Sequence, residues 1–307
     1  MIIKVLLPLI LAFIMFSLGL GLKGSDFSRV LKFPTAFCAG LLNQVILLPL
    51  VALGLAMAFG LEPIFAVGLM ILAMCPGGVT SNMLAKLAGG NAPLSISLTA
   101  ITSLLSIITV PLLVAFSVNY FMGEDALAVN ITKLGVTMFL ITALPVAIGM
   151  LLTAKSPQLV EKIAPGISRA AVGLFVLIII AALAKNWGVF YGNLAILGPV
   201  AIILNLLMLG LGLVTAKLMR LENKDATTIS IESGVQNGTL AIAVGAIVAG
   251  VEGEALPPST VPAAVYSITM YLVCLPFVFW RRRSSYLNHL VLLKTIYQRG
   301  DLWLIDP

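Results

Sequence analysis

Leu174-Phe175-Val176-Leu177-Ile178-Ile179-Ile180 is an unbroken run of apolar side chains, and its reading decides the fold. A strand in an outer-membrane barrel alternates apolar and polar residues, whereas no position of this run suits water. It lies inside a longer apolar stretch at about 165 to 187. A helix needs about 20 residues to cross a hydrocarbon core of roughly 30 Å. The whole chain divides into nine such stretches, at about 3 to 22, 35 to 59, 63 to 89, 92 to 121, 128 to 153, 165 to 187, 192 to 219, 225 to 250 and 258 to 280. The expected fold is an all-α polytopic membrane protein of about nine transmembrane helices. The first stretch has only Lys4 ahead of it and lacks a small-residue cleavage site, so it is expected to stay in the mature protein.

Composition points the same way. Of 307 residues, 60% are hydrophobic and 10% charged, against roughly 25% charge in a soluble domain. Mean hydropathy is +1.13. This argues against a soluble enzyme, a disordered chain and a disulfide scaffold. Cys38, Cys75 and Cys274 sit in apolar runs without metal-ligand spacing and read as small core residues. The one histidine, His289, falls in the C-terminal tail.

Lys and Arg define a sidedness. Lys23, Arg29, Lys32, Lys86, Lys155, Lys162, Arg169, Lys217, Arg220, Lys224, Arg281, Arg282, Arg283, Lys294 and Arg299 fall on one side and Lys4, Lys133 and Lys185 on the other, a split of 15 to 3. Cytoplasmic loops collect these residues, so the N-terminus is expected outside and the C-terminus in the cytoplasm of an inner (plasma) membrane. The net charge of +6 is then a topology signal and needs no nucleic acid. Loops such as Gly60-Leu61-Glu62-Pro63 leave no room for a soluble catalytic domain. The 284–307 tail carries Leu287, Leu290, Leu293 and Ile296 among cations, and reads either as an amphipathic segment on the membrane surface or as a poorly ordered terminus.

Of the 12 acids, Asp26, Glu161, Glu222, Asp225, Asp301 and Asp306 fall on cytoplasmic segments and Glu62, Glu124, Asp125, Glu252 and Glu254 on external ones. Only Glu232 is left within a span. An ionisable group there costs roughly 2.5 to 3.5 kcal/mol on insertion scales and marks a functional site by default; the alternative is a protonated packing residue. Its neighbourhood is Ile229-Ser230-Ile231-Glu232-Ser233-Gly234-Val235-Gln236-Asn237-Gly238-Thr239-Leu240. Glu232 and Gln236, four apart, share a helical face, while Gly234 and Gly238 weaken the helix. A break near mid-membrane is expected, where free carbonyls can coordinate a cation.

The third span holds a second interruption, Cys75-Pro76-Gly77-Gly78-Val79-Thr80-Ser81-Asn82, for which a simple proline kink is the alternative. Gly78-Val79-Thr80-Ser81-Asn82 echoes Gly234-Val235-Gln236-Asn237-Gly238. Two interrupted helices in corresponding halves point to the binding site of an inverted-repeat transporter. The spans also offer the oxygen ligands that hard cations prefer: Ser95 and Thr99, with Ser97 and Thr102 nearby, and Asn43 and Gln44 in the second span. Each hydroxyl could instead bond back to its own helix.

These residues resemble the bile acid:sodium symporter family, including its bacterial members and the related pantothenate-precursor transporters. The matching pieces are Cys75-Pro76-Gly77-Gly78 with Ser81-Asn82, Gly90-Asn91 with Ser95 and Thr99, and Ile231-Glu232-Ser233-Gly234-Val235-Gln236-Asn237, within a similarity from about residue 10 to 283. The resemblance implies a transmembrane transporter domain over 1–283. Its panel would take in about 3–22 and 128–187 and its core about 35–121 and 192–280, with two broken helices crossing in the core. It implies two Na+ as coupling ions and no other cofactor. One would be held by Ser81, Asn82, Ser95, Thr99 and Glu232, the other by Gln44, Glu232 and Gln236 with the Ser233 and Val235 carbonyls. An organic anion would sit near Val79, Thr80, Asn237 and Gly238, where half-helix N-termini carry positive partial charge. Two departures stand out. Bacterial members have ten spans in two repeats of five, against nine here. Ser267-Ile268-Thr269-Met270-Tyr271 lacks the His-Asn of some bacterial relatives.

The expected function is sodium-coupled import of a small organic anion, such as a bile acid or a pantoate-like carboxylate, by alternating access in the lipid bilayer; the chain could work as a monomer. A proton-coupled or efflux carrier, a membrane-embedded transferase and a passive channel are the rivals. The transferase wants membrane-face clusters of His, Asp or Lys that this sequence lacks, and the channel wants a polar-lined pore rather than one compact cluster.

Overall fold

A proline in the first turn of a helix costs no hydrogen bond, because the first N–H groups have no partner within the helix. Pro63, Pro93 and Pro157 each occupy such a position, and the chain starts new helices there. The computed structural model describes residues 2–28, 32, 34–123, 129–249 and 256–299, with side chains from 6 to 283. Its long helices are α1 (Ile2–Leu20), α2 (Pro34–Ala58), α3 (Pro63–Met74), α4 (Val79–Leu87), α5 (Ala92–Met122), α6 (Ile131–Lys155), α7 (Pro157–Lys185), α8 (Trp187–Leu218), α9 (Asn223–Gly234), α10 (Gly238–Val248) and α11 (Val261–Arg299). The protein is an all-helical polytopic membrane protein. The readings that concern the side chains of Lys4, Arg29, Glu124, Asp125, Glu252, Glu254 and the 284–307 tail lie outside the described residues.

Among the described residues seven helices are long and apolar enough to span a membrane, with α9 and α10 counted together as Asn223–Val248, and α3 with α4, bent by 63° at their break, make up to an eighth. The first expected span corresponds to a shorter apolar helix, Leu6–Leu20. Several boundaries differ from the sequence reading. Helix α7 begins at Pro157 and carries Pro165 inside it, although a loop was expected there. Helix α11 continues past the expected end at 280 to Arg299.

Two helices contain a widened π-type turn, Asn43–Leu47 in α2 and Phe139–Ala143 in α6. Each runs directly into a Leu-Pro pair, Leu48-Pro49 and Leu144-Pro145. The proline ring collides with the carbonyl one turn earlier and offers it no N–H, and a π-turn relieves that collision without breaking the helix.

Helix α8 packs along α9 and α11, α3 lies among α5, α10 and α11, and α1 packs on α6 and α7. An internal repeat is visible in backbone detail. After α2 the N–H groups of Phe59, Gly60 and Leu61 bond to the carbonyls of Leu55, Met57 and Ala56. After α8 those of Met219, Arg220 and Leu221 bond to Thr215, Lys217 and Ala216. Gly60 and Arg220 share a left-handed φ, 57° and 55°. Helices α3 and α9 then start at Pro63 and Asn223 and end at Met74 and Gly234, so every pair is 160 residues apart. The expected echo pairs Gly78 with Gly234, which is four residues out of step with this geometry. Its only identical pairs are Gly78 with Gly234 and Val79 with Val235, which the 160-residue geometry does not make equivalent.

Three further expectations change. Asp26 and Asp225, read as loop acids, are 4% and 9% exposed, so Glu232 at 6% is one of three buried acids among the described residues. Asp26 is held locally, its carboxylate accepting from the Lys23 N–H at 2.7 Å. Cys75 and Cys274 are buried as expected, but Cys38 is exposed on the outer face of α2.

Candidate functional site

The two interruptions meet. The Asn237 N–H donates to the Pro76 carbonyl at 3.1 Å, a backbone bond from one break to the other. A broken helix leaves carbonyls without intrahelical donors, and here Gly234 O, at the end of α9, accepts from the Asn205 amide of α8 and from the Tyr266 hydroxyl of α11 at 2.7 Å. Asn205 also donates to Tyr266 Oη at 3.1 Å. Beyond the break, Asn237 caps α10, its Oδ1 accepting from the Leu240 N–H at 3.0 Å.

Beside this crossing, α9 carries Glu232 against α5. Glu232 Oε1 accepts from Ser95 Oγ, and Oε2 accepts from Thr99 Oγ1 at 2.8 Å. Asn82 of α4 joins them, its Oδ1 receiving Ser95 Oγ at 2.7 Å and Thr99 Oγ1 at 3.2 Å. Ser81 Oγ lies at the start of α4, donating to the Gly78 carbonyl at 2.9 Å and accepting its N–H at 3.1 Å. Gly77 is required by this crowding: a Cβ there would stand 2.5 Å from Ser81 Oγ and 3.1 Å from Glu232 Oε2. The structure thus gathers Ser81, Asn82, Ser95, Thr99 and Glu232 around one carboxylate.

Gln44 and Gln236 form a neighbouring group. Gln44 Nε2 donates to Gln236 Oε1 at 2.9 Å and Gln236 Nε2 to the Ser233 carbonyl at 2.8 Å. Gln44 reaches this position from the π-turn of α2. Among the described hydrogen bonds none joins either glutamine to Glu232. Ser97 and Thr102 stay outside both groups, bonding to the backbone of Asp26 and of Leu98. Asn43 ties α2 to α8 through Thr215 at 2.7 Å.

Among the described residues no three His, Cys, Asp or Glu side chains gather as a metal group. The oxygen set around Glu232 therefore carries at most one formal charge, with amide and hydroxyl oxygens for the rest. That chemistry suits a hard monovalent cation better than a divalent one, which draws on several carboxylates.

At the crossing opens a narrow cleft of about 40 Å³, lined by α1 and α7 and by both breaks. Val79, Thr80 and Asn237 line it together with Ser17, Ser168, Phe175 and Thr239. Gly238 does not. It faces α11, where a Cβ would collide with Ser267 Oγ, and Thr239 takes its place in the wall.

Four residues that hold this arrangement, Asn205, Tyr266, Asn91 and Asp225, were not singled out as site residues. A buried polar residue in an apolar helix was the available signal for Asn205, which stands alone in Ile202-Ile203-Leu204-Asn205-Leu206-Leu207.

Residues 8–193 match the Sodium Bile acid symporter family. The chain is 29% identical over 262 residues to the uncharacterized sodium-dependent transporter YocS of Bacillus subtilis, covering 85% of this chain and 78% of that one. It is 30% identical over 243 residues to the human ileal sodium/bile acid cotransporter, covering 78% and 68%. It is 29% identical over 256 residues to the probable chloroplastic sodium/metabolite cotransporter BASS1 of Arabidopsis thaliana, covering 83% of this chain and 61% of that protein. All three are named for transport rather than catalysis. With its buried carboxylate set among oxygens where two broken helices meet, the chain belongs to the sodium bile acid symporter family.

Proposed function

We propose that this protein imports a small organic anion with sodium, by alternating access. The observation that carries the reading is the ring of Ser95, Thr99 and Asn82 oxygens around the buried Glu232 carboxylate, beside the meeting point of two helix breaks. One sodium ion would take the Ser81, Asn82, Ser95, Thr99 and Glu232 oxygens. The hydroxyls that now donate to the carboxylate would turn their lone pairs to the ion. A second would take Gln44, Gln236 and Glu232 with the Ser233 and Val235 carbonyls, after the glutamines release each other and Ser233.

Neutralising Glu232 would favour the ordered form of both breaks, and with it the cleft in which Val79, Thr80 and Asn237 meet the anion. The N-termini of α4 and α10 contribute positive partial charge there. Motion of a core (α2 to α5 and α8 to α11) against a panel (α1, α6 and α7) would expose the cleft to each side in turn. With the cation-rich face toward the cytoplasm, the inward sodium gradient drives import. Bile acids are the substrate class to screen first, given the name of the human relative, followed by pantoate-like carboxylates.

The test is uptake into vesicles in two arms, a sodium gradient at constant pH and a proton gradient with choline in place of sodium. Sodium-dependent accumulation of an anion supports the reading. Accumulation driven by a proton gradient without sodium replaces it with the proton-coupled alternative.

A further inference from the structure

Below the Glu232 cluster, at the end where α9 and α5 both begin, lies a second set of polar contacts. Asn91 caps α5, its Oδ1 accepting from the Leu94 N–H at 3.1 Å. The same side chain donates through Nδ2 to Asp225 Oδ1 at 2.7 Å. Its backbone N–H bonds to Thr228 Oγ1 at 2.7 Å and to the Lys224 carbonyl at 3.3 Å. The turn is pressed close: a Cβ on Gly90 would stand 2.6 Å from Thr228 Oγ1.

The spacing of these residues matters more than any single bond. On α5, Asn91, Ser95 and Thr99 follow at four-residue intervals and share a face; on α9, Asp225, Thr228 and Glu232 do the same at intervals of three and four. The two faces oppose each other as a ladder. Asn91 meets Asp225 and Thr228 at the bottom, while Ser95 and Thr99 meet Glu232 at the top. Asp225 and Glu232 are about 10 Å apart along the axis at 1.5 Å per residue.

We infer that the Asn91–Asp225 pair is a positioning device for the Glu232 cation site, fixing the register of α5 against α9 so that Ser95 and Thr99 reach the carboxylate. The inference rests on the proposed sodium site and adds to it residues that do not touch the ion. A slip of either helix at the bottom rung moves both hydroxyls relative to Glu232, because a helix transmits an axial shift undiminished. Asp225 is buried because it serves this pair, which also explains an acid at the mouth of a membrane span.

The test uses the purified full-length protein, with sodium ion alone as the probe and choline as the control cation. Sodium-dependent thermal stabilisation and radioactive sodium binding both give a half-saturating concentration. Asn91→Asp opposes two carboxylates while keeping a cap for α5, and should raise that concentration about tenfold. Combining it with Asp225→Asn reverses donor and acceptor and should restore it to within about threefold of wild type. If Asn91→Asp does not fold, Asn91→Ser, which keeps the cap but lacks the amide donor, carries the same expectation. An unchanged half-saturation in the single variant, or a double variant no better than the single, overturns the inference. A purely structural loss would lower the melting temperature in choline and leave the sodium half-saturation in place. Wild-type protein that neither binds sodium nor is stabilised by it defeats the proposed function itself, which keeps the two failures apart.

Discussion

At the scale of single residues, the account turns on crowding around oxygen atoms. Gly77→Ala places a methyl group against Ser81 Oγ and Glu232 Oε2. The expected outcome is a protein that folds but needs at least about tenfold more sodium for half-maximal stabilisation, the loss of one charge-assisted contact. Arg220 gives a contrary case. It holds a left-handed φ of 55° where the repeat-related position has Gly60, and a side chain in that conformation costs about 1 kcal/mol. Arg220→Gly should therefore raise the thermal unfolding midpoint, read in detergent without sodium, and Gly60→Ala should lower it. Glu232 was legible in the sequence because an acid inside an apolar span is conspicuous. Asp225 was not, because its burial arises from the docking of the Gly90-Asn91 turn, a contact across 134 residues of chain.

At the scale of elements, the two breaks and the π-turn of α2 set where the ligands point. Both breaks could be read directly from Pro76-Gly77-Gly78 and Gly234-Val235-Gln236-Asn237-Gly238, since proline removes a donor and glycine weakens a helix. The π-turn could not, because a Leu-Pro pair inside a helix is compatible with a kink as well as with a widened turn. Pro49→Ala allows Asn43–Leu47 to close into regular α geometry and turns Gln44 relative to the breaks. Weaker sodium binding with unchanged helix content by circular dichroism is the expected result. The clamp on Gly234 O has two donors, so its loss should be graded. Tyr266→Phe leaves the Asn205 amide in place and should cost about 1 kcal/mol of stability. Adding Asn205→Ala strands the carbonyl and should cost more than the sum of the two single changes, as a double-mutant cycle of thermal unfolding would measure.

At the scale of the whole molecule, the 160-residue repeat places the turns at Gly60 and Arg220 on opposite membrane faces if each intervening span crosses once. Single cysteines at Glu62 and Ser156 in a cysteine-free background should then react with an impermeant thiol reagent from opposite sides, Glu62 from outside. Lys and Arg alone supply the expected sidedness, and this labelling is its test. The packing of α1 on α6 and α7 is expected from the family resemblance and not from the residues themselves, since apolar helices in lipid carry no surface pattern that selects a neighbour. The central claim is that Glu232 holds a sodium ion where two broken helices meet. Its most direct test is saturable binding of radioactive sodium to purified protein, wild type against Glu232→Gln, which keeps the size of the side chain and removes its charge. The account predicts saturable binding in the wild type and its loss in the variant, both folded by circular dichroism; sodium binding retained by Glu232→Gln contradicts it.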